Sequence, residues 1–141
     1  MIAGDPWSDE TGRMESIPDR IREVLRLDPA ADAIDFEGRW HPWSELAAVV
    51  EDVDRLLTAA GLGAEIAVGV LLRNRPSLVG ALLAVLATRR CVVTINPQVG
   101  DSKLAADVAE LRTPAILGHD DDWARPALCA PPGRRAVWVW H

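Results

Sequence analysis

Apolar positions along the chain fall into short runs of two different periods, and their alternation predicts a layered α/β fold. Residues 66–72, IAVGVLL, are almost continuously apolar and rich in branched side chains, the pattern of a strand covered on both faces in a parallel sheet. Asn74, Arg75 and Pro76 break the run. From Ser77 onward, Leu78, Val79, Leu82, Leu83, Val85 and Leu86 wrap almost the whole circumference of a helix, which predicts deep burial. A second buried strand is expected over residues 91–95. Strand, helix of about a dozen residues and strand form a crossover unit, and such a unit joins parallel neighbours.

The flanking segments add further elements. Ser16 is placed to cap a helix with Pro18 in its first turn and Ile17, Ile21, Val24 and Leu25 as the stripe that docks on the sheet; it ends near Asp28 and Pro29. Ala33 to Phe36 and Arg39 to Trp43 flank Glu37 and Gly38, the signal of a two-residue hairpin. Ser44 is expected to cap an amphipathic helix whose Leu46, Val49, Val50, Val53, Leu56 and Leu57 face inward. Glu51 and Arg55 are spaced for an ion pair on its outer face, and Gly61 stops it. Beyond the crossover, Asp101 is placed to cap a helix striped by Leu104, Val108 and Leu111. Thr113 to Leu117 predicts a third parallel strand and Ala136 to Trp140 a fourth. The segment between them carries HDDDW and several prolines and is expected to be irregular. Residues 1–15 are polar and aperiodic, an expected flexible arm, leaving residues 16–141 as the folded unit.

Three blocks in this pattern carry a family resemblance. Pro42-Trp43-Ser44-Glu45-Leu46 follows the phrase "t-y-x-E-L"; residues 65–74 follow "G-D-x-V-A-v-l-l-x-N"; Val92 to Pro97 follow "v-v-v-P-l-n-P". The order and spacing resemble the amino-terminal region of the AMP-forming acyl-activating enzymes, which include acyl-CoA synthetases, luciferase-like ligases and peptide-synthetase adenylation domains. The hairpin phrase ADAIDFEGRWHPWSEL is similar to that family as well, with Trp43 where Tyr is usual. The resemblance implies a layered, mostly parallel sheet with crossover helices and an N-terminal β-hairpin. It also implies that a complete member uses ATP, Mg and CoA to convert a carboxylic acid to an acyl-adenylate and then a thioester.

Composition narrows the picture further. A net charge of −6 over 141 residues argues against a nucleic-acid partner, and no run approaches the roughly 18 apolar residues of a membrane span. The acidic start lacks the features of a secretory signal, so the cytoplasm is the expected location. Cys91 and Cys129 stand alone, without metal or disulfide spacing, as core or loop cysteines. Gly61-Leu62-Gly63 precedes a strand, whereas a dinucleotide fingerprint follows one. His119 with Asp120, Asp121 and Asp122 has the oxygen donors of a cation site but not the spacing of one, and a solvated acidic loop is the simpler reading. No nucleophile elbow exists to partner His41, and the tryptophans suit sheet packing better than a stacking platform.

Arg73, Asn74 and Asn96 are the candidate binding residues, because ligands of open α/β sheets sit outside the carboxyl ends of the strands. Asn74 is also placed to cap the following helix. No catalytic or metal residue is assigned. Carboxylate adenylation needs a glycine-rich phosphate loop, and the family's "S/T-G-T-T-G-x-P-K", "Y-G-x-T-E" and "T-G-D" blocks are absent from these residues. Lys103, the single lysine, lies in a predicted helix with no glycine loop before it, and Thr88-Arg89-Arg90 replaces the family's "A-G". The expectation is therefore the first part of an acyl-CoA synthetase-like ligase that binds no cofactor by itself, its partner the remainder of the ligase. The alternatives are a remnant module that acts by self-association or protein association, and a small-molecule binder at the strand ends near Asn74 and Asn96.

Overall fold

The computed structural model describes residues 15–128 and 135–138. The expected arm over residues 1–15, apart from Glu15, and Cys129 lie outside them. Helix α1 (Ile17–Leu27) is followed by the hairpin β1 (Asp32–Phe36) and β2 (Arg39–Pro42), helix α2 (Trp43–Ala59), β3 (Ala67–Leu71), α3 (Pro76–Ala87), β4 (Cys91–Ile95), α4 (Asp101–Leu111), β5 (Ala115–Gly118), two 3-10 turns (Asp120–Ala124 and Pro126–Leu128) and β6 (Arg135–Trp138).

Strands β4, β3, β5 and β6 lie in that order in one parallel sheet. Alternation along β3 divides the core. Val68 and Val70, with Ala115 and Leu117 of β5, pack under Val53, Leu57, Leu78, Ala81, Ala84 and Val85 of α2 and α3. On the opposite face Leu71, Ile95 and Ile116 meet Leu104 and Val108 of α4 and Leu128. The deep burial expected of α3 is observed on one face: Leu78, Gly80, Ala81, Ala84, Val85 and Ala87 are buried, whereas Val79, Leu82, Leu83 and Leu86 are only half-buried. Gly80 lets α2 come close, since a Cβ there would stand 2.8 Å from Val49 Cβ.

Both core helices end in the same hydrogen-bonded turn. In α2 the N–H groups of Gly61 and Leu62 donate to Thr58 and Leu57, and Gly61 adopts φ +77°. In α3 the N–H groups of Arg89 and Arg90 donate to Leu86 and Val85, with Arg89 at φ +60°. Arginine thus occupies a left-handed position that glycine fills without strain. From there the Arg89 carbonyl accepts the Glu65 N–H at 2.8 Å, its side chain pairs with Asp19 of α1 (3.1 Å), and Arg90 turns inward.

Several expectations are corrected. Helix α1 docks on α3 and α2 rather than on the sheet, and Ile17 of its stripe is 69% exposed. Ser44 does not cap α2, which starts two residues earlier than such a cap implies, at Trp43 behind Pro42 with no side-chain cap; Asn74 likewise does not cap α3, whose N-cap is Arg75. In both cases a proline geometry starts the helix: Pro42 supplies extended backbone at the cap, and Pro76 supplies a helical φ at the first position. Gly100, not Asp101, is the N-cap of α4. Arg55 pairs with Asp52 instead of Glu51. Leu56 and Leu111 point outward at the margins of their stripes, and Ile66 and Leu72 lie outside β3 and are exposed. Strand β4 is an edge strand, so it is only partly covered and Cys91 is exposed. The fourth strand runs Arg135–Trp138, with residues 139–141 outside the described set.

Candidate functional site

Chain order within the sheet marks one place for a site. From β3 the chain crosses through α3 to β4 on one side, then returns through α4 to β5 on the other. Neighbouring strands whose connections leave in opposite directions open a crevice at their carboxyl ends, where ligands of such sheets bind. Here the crevice lies between the turn after β3 (residues 72–75) and the turn after β5 (residues 119–122).

An ion pair fills it. Arg73 donates from Nε and Nη2 to Asp122 Oδ1, the first at 2.8 Å. The other Asp122 oxygen accepts the backbone N–H of His119 at 2.9 Å. Asp122 is wholly buried, whereas the Arg73 side chain keeps 32% of its surface. The hydrogen bond to Asp122 pushes the Arg73 guanidinium above its already high value, opposed by desolvation. A buried carboxylate with this many partners is satisfied, and its role is to tie the β3 turn to the β5 turn.

Beside the pair lies an open groove of about 420 Å³ between the hairpin and the first turns of α2 and α3. Phe36, Leu46, Val49 and Pro76 give it apolar walls. At its hairpin end Arg39 donates to Glu45 Oε1 and His41 Nδ1 donates to Glu45 Oε2 at 2.7 Å, so the carboxylate is shared between two donors. At its other end Arg75 Nη1 stands 3.2 Å from His119 Nε2. The other ring nitrogen, Nδ1, accepts the backbone N–H of Asp121 at 3.3 Å and stands 3.2 Å from Asp121 Oδ2, so the imidazole is held between Arg75 and the start of the 3-10 turn.

Of the three candidate binding residues, the structure brings Arg73 into the crevice but commits it to Asp122. Asn74 is exposed beside it. Asn96, at the end of edge strand β4, accepts the Gln98 N–H at 2.9 Å in a local turn. The three do not converge on one ligand. Sequence reasoning missed Asp122 and His119, reading HDDDW as solvated acid. The available signal was position: the acidic triplet begins two residues after an apolar strand, where a 3-10 turn directs every third side chain inward. Asp121 is solvated as expected, with 77% of its side chain exposed.

ATP and Mg do not fit at these residues. Asp122 has both oxygens occupied by protein donors, Asp121 faces water, and the turn after β3 is built from Leu72, Arg73, Asn74 and Arg75 rather than from glycines whose amides could approach a triphosphate. Among the described residues no group of three acidic, His or Cys side chains is placed to hold a metal ion, and no helix is long and apolar enough to cross a membrane.

A family model described as AMP-binding enzyme matches residues 21–137. The chain belongs to the AMP-binding enzyme family. A relative, the PKS-NRPS hybrid synthetase cheA of Chaetomium globosum, is 32% identical over 106 residues, which is 74% of this chain and 2% of that protein. The fold is that of solved AMP-binding chains. A benzoate CoA ligase from Burkholderia xenovorans superposes with a TM-score of 0.75 at 12% identity, covering 90% of this chain and 26% of that one. The N-terminal subdomain of Klebsiella oxytoca NpsA, in complex with 3-hydroxybenzoyl-AMSN, gives 0.73 at 17% identity, covering 93% and 32%. The chain therefore spans about a third or less of these solved chains, and far less of the synthetase.

Proposed function

We propose that this chain is the amino-terminal scaffold of an ATP-dependent ligase that activates a fatty or other carboxylic acid as its adenylate and passes it to a thiol. The observation that supports the reading is the AMP-binding match across residues 21–137, together with the hairpin and the parallel crossover sheet that the resemblance had implied for such a subdomain. Its contribution is positional. The Arg73 to Asp122 pair fixes the carboxyl ends of the two central strands, and segments outside these residues supply the phosphate loop and the acyl pocket. The same reading places the protein in the cytoplasm, where ATP and CoA are supplied.

The 141-residue chain alone is expected to give no ATP-pyrophosphate exchange with any carboxylic acid, because the crevice lacks amides and free carboxylates for the nucleotide. Exchange by the purified chain would overturn the scaffold reading. A second reading, a module that acts by association, is favoured by the open edge of β4, where Cys91 and Thr94 are exposed. Gel filtration separates the two: a defined dimer that dissociates when Val93 is replaced by Lys supports association, whereas a monomer supports the scaffold.

A further inference from the structure

The groove beside the crevice has features that scaffolding does not use. Its volume, about 420 Å³, lies in the range of small-molecule pockets, and its walls are apolar with polar groups at the two ends. Those ends differ. At the hairpin end Glu45 is shared by Arg39 and His41, so the charges are matched within the protein. At the other end Arg75 contacts the ring nitrogen of His119, and its nearest ion pair, with the solvated Asp121, is long at 3.9 Å. Other arginines that close the fold have tight carboxylates: Arg73 has Asp122, Arg90 has Asp54 at 2.6 Å, and Arg125 has Asp101 at 2.7 Å. Arg75 is thus a guanidinium at the mouth of an apolar slot with most of its donors uncommitted to a carboxylate. Ser77 lines the groove beside it with a hydroxyl in the first turn of α3.

We infer that this groove binds an amphiphilic organic anion, whose head accepts hydrogen bonds from Arg75 and Ser77 and whose apolar body lies along Phe36, Leu46, Val49 and Pro76 toward the hairpin. A planar guanidinium fork suits a carboxylate or a phosphate monoester, and the apolar walls exclude inorganic phosphate as a good ligand. Because the charges at the hairpin end are matched within the protein, Arg75 at the other end sets the orientation, head at α3 and tail at the hairpin. The inference does not rest on the ligase reading, since neither nucleotide nor acyl transfer enters it.

The test is a titration of the 141-residue chain with octyl phosphate, octanoate, 1-octanol and inorganic phosphate, followed by backbone amide shifts. Saturable shifts centred on Arg75, Ser77 and Val49 are expected for one or both octyl anions, with 1-octanol and inorganic phosphate at least ten-fold weaker. Replacing Arg75→Gln should weaken the anion at least ten-fold, Arg75→Lys less, and Arg55→Gln on the outer face of α2 not at all. Octanol binding as tightly as the anions, shifts centred elsewhere, or no saturable shift overturns the inference. So does unchanged affinity in a folded Arg75→Gln chain; if that variant does not fold, the ratio of anion to alcohol in the unaltered chain decides.

Discussion

The two ends of the parallel sheet are each closed by a buried arginine pair, and the pairs are built in opposite ways. At the carboxyl end the acid is the sealed member: Asp122 is wholly buried while Arg73 keeps partial access to water. At the amino end the base is sealed: the Arg90 side chain is 3% exposed and donates to Leu62 O, Asp54, Thr58 and Thr88, while Asp54 remains 48% exposed. A sealed acid cannot recover solvent if its partner is lost, and a half-exposed one can. The number of hydrogen bonds is therefore a poor guide to which pair matters more; the burial of the partner left behind is the better one.

That contrast sets the order of expected effects. Arg73→Met should cost most, about 3 kcal/mol by urea denaturation, since it leaves Asp122 buried with only the His119 N–H for a partner. Gly80→Ala follows at about 2 kcal/mol, because overlap with Val49 outweighs the gain in helix propensity, and it gauges how rigid the α2 to α3 wall is between the two ends. Arg90→Met should cost about 1 to 2 kcal/mol, as Asp54 turns to water and the methionine fills the vacated stem. An Arg90→Met loss larger than that of Arg73→Met would break the comparison.

Two smaller effects sharpen it. Thr113, 2% exposed, has a hydroxyl with no hydrogen-bond partner among the described residues, so Thr113→Val should stabilise the chain by about 0.5 to 1 kcal/mol in the same denaturation assay. At the amino end, Asp19 is held below its ordinary 3.8, first by the Ser16 hydroxyl and further by Arg89, against desolvation. Its folded value is depressed, so its contribution is complete above 3.8 and is lost as pH falls through the folded value. Carboxyl NMR titration of Ser16→Ala should move the Asp19 midpoint back up.

Much of the fold was legible because its periods are unmixed. A buried run such as AVGVL and an all-round apolar helix such as PSLVGALLAVLA are each compatible with one placement, between covering layers. The hairpin was legible from Glu37 and Gly38, which adopt φ +53° and +77° in the structure. What failed was local and depended on partners distant in sequence. Whether Asn74 or Pro76 starts α3 is settled by backbone preorganisation, not by the side chain best suited to capping. Whether Glu51 or Asp52 holds Arg55 is a choice between near-equal surface pairs. The site was half legible: Arg73 was found by its position after a strand, but Asp122 is 49 residues away and reads as one of three equivalent acids until the 3-10 turn separates them.

Strand β3 lies between β4 and β5, although β5 is made more than forty residues after β3 begins. On the ribosome, β3 can therefore acquire its first neighbour soon after emerging, but its second edge stays open until residues 115–118 have left the exit tunnel. A nascent chain stalled in that interval presents an apolar, hydrogen-bond-hungry edge, which makes it a substrate for holdase chaperones.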